Sequence, residues 1–172
     1  MLRVQSLSIS LATVFLALAS NAGAATYSNG TNTSTFDVSV KIVANCTISA
    51  SNLDFGQSQG VLTTAVNVNT SIAVTCSDTT PYNVGLNSGT GAGSAGTTRY
   101  MSGLTAGNAA TINFNLFQAA GATLWGNTQG TDTKGGVGNG TAQTLSVYGQ
   151  IPAQTTPMPD TYKSTITATV YF

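Results

Sequence analysis

The chain has 172 residues, 41% hydrophobic and only 6% charged; five Lys or Arg balance five acidic residues, all Asp, and there is no His. A typical globular chain carries about 25% charged residues, so most groups that run acid–base catalysis, ligate metals or neutralise phosphates are missing. The length suits one domain, and the lack of any basic patch excludes nucleic-acid binding.

Residues 1–25 have the build of a secretory signal: Arg3 at the start, an apolar run over residues 7–18, then the small residues Ala22-Gly23-Ala24-Ala25. The run is shorter than the roughly 20 residues that span a bilayer. The sequence therefore predicts a signal peptide over residues 1–24, removed after Ala24 or Ala25. Residues 25–44 follow as a flexible lead-in, polar over 25–33 and alternating at Phe36, Val38, Val40 and Ile42.

From residue 45 to 172 the apolar residues alternate with Thr, Ser and Asn, the period of strands rather than helices. The clearest runs are residues 65–76 (AVNVNTSIAVTC), Tyr82-Val84-Leu86, Ile112-Phe114-Leu116, Leu145-Val147-Tyr148 and the terminal run Tyr162-Ser164-Ile166-Ala168-Val170-Phe172. Gly- and Asn-rich residues 87–98 and 126–141 read as long loops. About seven short strands predict an all-β sandwich or small barrel.

Cys46 and Cys76 are the only cysteines. In an exported chain such a pair is most simply a disulfide, and a closed loop of about 30 residues makes it worth roughly 3–4 kcal/mol on the chain-entropy account. Two thiols without His complete no zinc set.

Little else carries chemistry. Gly91-Ala92-Gly93-Ser94-Ala95-Gly96 matches G-x-G-x-x-G but leads into Thr97-Thr98-Arg99-Tyr100 without a helical pattern, so a flexible loop is expected rather than a phosphate cradle. No catalytic triad forms without His. Asp54 with Asp78, or Asp132 with Asp160, could in principle form a pair for glycosidase-like chemistry, but each sits beside Gly, Pro, Ser or Thr as turn formers do. No catalytic, cofactor-binding or metal-ligating residue is assigned, and the chain reads as a non-enzyme.

The alternating runs at the two ends stand out, because a strand lacking a neighbour exposes backbone groups that recruit one. With FDVSVKIVANCTISASNLDFG, SIAVTCSDTTPY, NFNLFQAAGATLWG, LSVYGQIPAQ and DTYKSTITATVYF in this order, the chain resembles the spore coat U domain family. That family includes the pilin subunits of archaic (Csu-type) chaperone-usher pili. The resemblance implies an immunoglobulin-like β-sandwich lacking its final strand. A periplasmic pilus chaperone lends one, and an outer-membrane usher exchanges it for the N-terminal strand of an identical or related pilin. The product is a fimbrium at the cell surface, supporting adhesion and biofilm formation. By position, Phe36, Val38, Val40 and Ile42 are then the donor residues, and Ile166, Ala168, Val170 and Phe172 the acceptor and chaperone-binding edge.

A single domain with a donor run looks like a shaft or minor subunit rather than a tip adhesin. Met158-Pro159-Asp160-Thr161 departs from the family, whose members tend to place a Gly just ahead of the final strand. The alternatives are an ordinary intramolecular first strand at residues 36–42, a spore-coat or matrix protein of the same fold, an outer-membrane β-barrel, and a secreted carbohydrate-binding or hydrolytic domain, against which the single Trp125 and the lack of a convincing acid pair count.

Overall fold

The computed structural model describes residues 29–57 and 62–172; the signal assignment at residues 1–24 lies outside them. The chain divides into two units, Met1–Val40 and Lys41–Phe172. In the first, residues 31–40 adopt no strand, and Phe36, Val38 and Val40 are 85%, 86% and 85% exposed.

The second unit is all β. Its strands are β1 (Cys46–Ala50), β2 (Val66–Cys76), β3 (Pro81–Leu86), β4 (Arg99–Gly103), β5 (Thr111–Phe117), β6 (Lys134–Val137), β7 (Ala142–Ile151), β8 (Tyr162–Lys163) and β9 (Ala168–Tyr171). They form two antiparallel sheets, ordered β1-β2-β7-β5-β4-β8 and β6-β3-β9. The period-2 pattern dictates the faces. In β2 it buries Ile72, Val74 and Cys76, and in β7 it buries Leu145, Val147 and Ile151. These side chains meet Tyr82, Val84 and Leu86 from β3 in one core with Phe114, Leu116 and Trp125. Both sheets are open, each with two outer strands among the described residues, so the arrangement is a sandwich rather than a closed barrel.

The β1–β2 ladder places Cys46 opposite Cys76, and the disulfide joins them there. Three elements differ from the sequence reading. The 126–141 stretch contains β6, whose glycines lack alternation but pair with β3, Gly136 lying so close to the Tyr82 ring that no Cβ would fit. Residues 99–103 form β4. The terminal run breaks in two, with β8 pairing β4 and β9 pairing β3.

The break has a local cause. Residues 164–167 bond to the 87–91 loop instead of a strand: Ser164 Oγ accepts from the Thr90 and Gly91 amides, and Thr165 N donates to Thr90 Oγ1. Thr167 N donates to Asn87 Oδ1, and Asn87 N donates back to Thr167 O. The G-x-G-x-x-G stretch lies in this loop region with no helix after it.

Candidate functional site: an open groove onto the core

β1 and β9 are the outer strands of their sheets on one side of the sandwich, and their Cα atoms come within 8 Å without forming a ladder. Each therefore has one strand neighbour among the described residues. Where β1 ends and β9 begins opens a cavity of about 620 Å³, walled by residues 50–55 on one side and by 163–166 with Ala168 on the other. Its floor is the core itself, with Ile72, Leu86, Phe114, Leu116 and Val147 lining it. A second lobe of about 610 Å³ shares Leu53, Asp54, Phe55 and Met101 with the first, and continues between residues 53–57 and 156–162. These five core side chains reach the floor of the groove while staying only 2–4% exposed, and outer strands such as β1 and β9 carry the kind of backbone edge that accepts an added strand.

Leu53 and Phe55 form one wall. Both reach over Gly149 of β7, where a Cβ would meet their side chains. Their L-x-F alternation was visible in the sequence, but only the fold shows what it flanks. On the opposite wall, Ile166 and Ala168 line the groove, and both pack against the core together with Val170. Phe172 follows β9 and is 59% exposed. Ile42 is 84% exposed, as its three partners in the alternating run are.

The far end of the groove is fastened by a residue that the sequence shows only as a turn former. Asp160 accepts from Thr105 N, Thr105 Oγ1, Asn108 Nδ2 and Thr161 N, tying the β4–β5 connection to the start of the C-terminal strand. Tyr162 Oη donates to Met158 O beside it. This network stands where the Met158-Pro159-Asp160-Thr161 departure falls. The Asn108 bond, and then the other bonds, hold the Asp160 carboxyl at about 2, against an ordinary 3.8.

A carboxyl with a depressed folded-state pKa adds stability above its unfolded value and loses it as pH falls toward the folded one. The thermal midpoint is therefore expected to drop as pH falls from 3.8 to about 2. Asp160→Asn should flatten that part of the profile in a pH-resolved melt; an unchanged profile would refute the role.

The remaining acids are local. Asp54 Oδ1 accepts from Gly56 N, Asp78 Oδ1 from Thr79 N and Asp132 Oδ1 from Thr128 N. Trp125 is completely buried, its Nε1 donating to Val84 O at 2.7 Å, so it presents no face on which a sugar could stack.

Residues 32–169 match the family model described as Spore Coat Protein U domain. This chain belongs to that family. The Spore Coat Protein U domain match thus spans the alternating lead-in as well as nearly the whole sandwich. Among solved structures, the chain is similar to one from the crystal structure of the CsuC–CsuE chaperone–tip adhesion subunit pre-assembly complex, from archaic chaperone-usher Csu pili of Acinetobacter baumannii. They share 22% identity and a TM-score of 0.57, over 76% of this chain and 40% of that one. The likeness shows a shared immunoglobulin-like sandwich fold, and the chain spans two fifths of its relative's length. The E. coli Hda pilus minor tip subunit, HdaB, aligns with 16% identity over 73% of this chain and 79% of that one, with a TM-score of 0.37. No curated protein matches the chain.

Proposed function

We propose that this chain is a structural subunit of a chaperone-usher pilus, polymerising when residues 36–42 of one copy fill the groove of the next. One observation carries the reading: a sandwich with a groove floored by its own core side chains, in a chain whose lead-in exposes four apolar side chains at strand period. Phe36, Val38, Val40 and Ile42 are the donor residues. Ile166, Ala168, Val170 and Phe172 form the edge on which a periplasmic chaperone, and later a neighbouring subunit, docks. An outer-membrane usher conducts the exchange, and the exported fibre serves adhesion and biofilm formation at the cell surface. The same family and fold membership supports a structural rather than an enzymatic role.

The test uses exposure as its control. Val40 is 85% exposed, so Val40→Asp leaves the chain's own fold unaltered, yet it would bury an unpaired carboxylate in a neighbour's groove. That costs several kcal/mol, a loss of roughly a hundredfold or more in assembly. Ser39→Asp, on the polar face of the same run, is expected to assemble normally. Multimer ladders and electron microscopy of the exported chain read the result; equal assembly by Val40→Asp and wild type would sink the proposal.

A further inference from the structure

We infer that Ser77 is a positioning residue that stops the subunit from filling its own groove, a role resting on the subunit reading above. The donor run ends at Ile42, and β1, the strand at the groove's margin, begins at Cys46. Only Val43, Ala44 and Asn45 separate them. Hairpin loops of about 2–5 residues are common. A turn at residues 43–45 would therefore fold 36–42 back antiparallel to β1, bringing Phe36 and Val38 to the groove wall that begins at Ala50, the place a neighbour's donor would take. A segment on so short a tether has an effective concentration of about millimolar. A neighbour's donor at ordinary micromolar concentration would lose that competition, and the subunit would close on itself as an inert monomer.

The structure holds residues 43–45 out of such a turn. Ser77 N donates to Asn45 O at 2.9 Å, and Asn45 N donates to Ser77 Oγ at 3.1 Å. The Ser77 hydroxyl is in turn shared between Asn45 O at 3.3 Å and Val43 O at 3.5 Å. These bonds extend the β1–β2 ladder one step beyond the Cys46–Cys76 pair, directly next to the disulfide. Residues 43–45 are thereby committed to run on along the line of β1, and turning back requires breaking the clasp. Ser77 is itself fixed: Thr80 N donates to Ser77 O, and Thr79 N donates to Gly138 O. Thr79 has φ 60°, rare for a β-branched residue and sustained only by surroundings that over-determine it.

The experiment compares the exported full chain with the Ser77→Ala, Asn45→Gly double variant, which keeps the disulfide, removes the hydroxyl and eases a turn. A second variant inserts four glycines between Ile42 and Val43, supplying a turn ahead of the clasp and leaving residues 43–45 and the sandwich as they are. Size exclusion and hydrogen exchange at residues 36–42 are the readouts. Both variants are expected to raise the ratio of monomer to multimer, the double variant roughly tenfold, as for the loss of one or two net hydrogen bonds. The amides of 36–42 should be protected within that monomer. Ser77→Thr, which retains the hydroxyl, should restore the wild-type ratio.

Wild-type multimer levels in both variants, with 36–42 unprotected in the residual monomer, would overturn the inference. A third chain keeps that failure apart from failure of the subunit reading itself: residues 34–44 are deleted and appended after Phe172 through a flexible linker. If it is a stable monomer while both variants still assemble as wild type does, the clasp alone is wrong. If it gains nothing over the native chain, the subunit reading falls, and the clasp with it.

Discussion

Moving residues 34–44 from the N-terminus to a position after Phe172 is expected to turn an assembling, marginally stable chain into a soluble monomer with a thermal midpoint higher by roughly 10 °C. In the native chain Phe36, Val38, Val40 and Ile42 are 84–86% exposed, while Ile72, Leu86, Phe114, Leu116 and Val147 floor an open groove. Burying four such side chains is worth about 1.5–3 kcal/mol each, or roughly 6–12 kcal/mol before ordering costs. A net remainder of about 3 kcal/mol is enough for the stated shift in a domain of this size. The backbone gains as well, since an added strand would find partners at the groove's margin, where β1 and β9 each have a single strand neighbour among the described residues. Calorimetry and size exclusion of the two chains decide the matter. A native chain that is already a stable monomer, with a midpoint equal to that of the transplant, would mean that the groove needs no occupant.

The two-sheet core was readable because period-2 alternation reports a half-buried strand directly: Ile72, Val74 and Cys76 in β2 and Leu145, Val147 and Ile151 in β7 lie on the predicted inner face. β6 was not readable, because Lys134-Gly135-Gly136-Val137 has no side-chain alternation and is selected instead by the space beside Tyr82. The alternation of residues 162–172 continues through the crossover, so the pattern signals one strand where the 87–91 loop splits it into two. The open groove lay beyond the reach of pattern altogether. No residue pattern marks the groove, and only the alternating runs at the two ends, with the resemblance carried by five segments along the chain, pointed toward it. Asp160 was hidden for another reason: its partners Thr105 and Asn108 lie more than 50 positions away, and beside Pro159 it looks like any turn former.

Arg99→Met is expected to destabilise the domain by roughly 3–5 kcal/mol, although Met fills much of the same space. Arg99 is completely buried. Its Nη2 donates to Leu86 O at 2.8 Å and to Trp125 O at 2.6 Å, and its Nε donates to Asn87 O at 2.9 Å. Each carbonyl left without a donor costs about 1–3 kcal/mol, while relief from burying a charge returns part of the total. Lys would not rescue the site, since a point charge cannot serve three carbonyls fixed for a planar fork.

Burial lowers the Arg99 pKa to about 10, well below the ordinary guanidinium value, with Asp132 pulling the other way. Between those values the unfolded chain binds the proton more tightly, so stability due to this group rises with pH there and is flat below. The difference between wild type and Arg99→Met should therefore be constant across neutral pH, which denaturant titrations at several pH values would check. The effect should also reach the groove. Leu86, whose carbonyl Arg99 holds, is part of the groove floor, so a peptide of residues 34–44 is expected to bind the variant more weakly than the wild type. Equal affinity in the two chains would show that the floor keeps its shape without the guanidinium, and that Arg99 serves the fold alone.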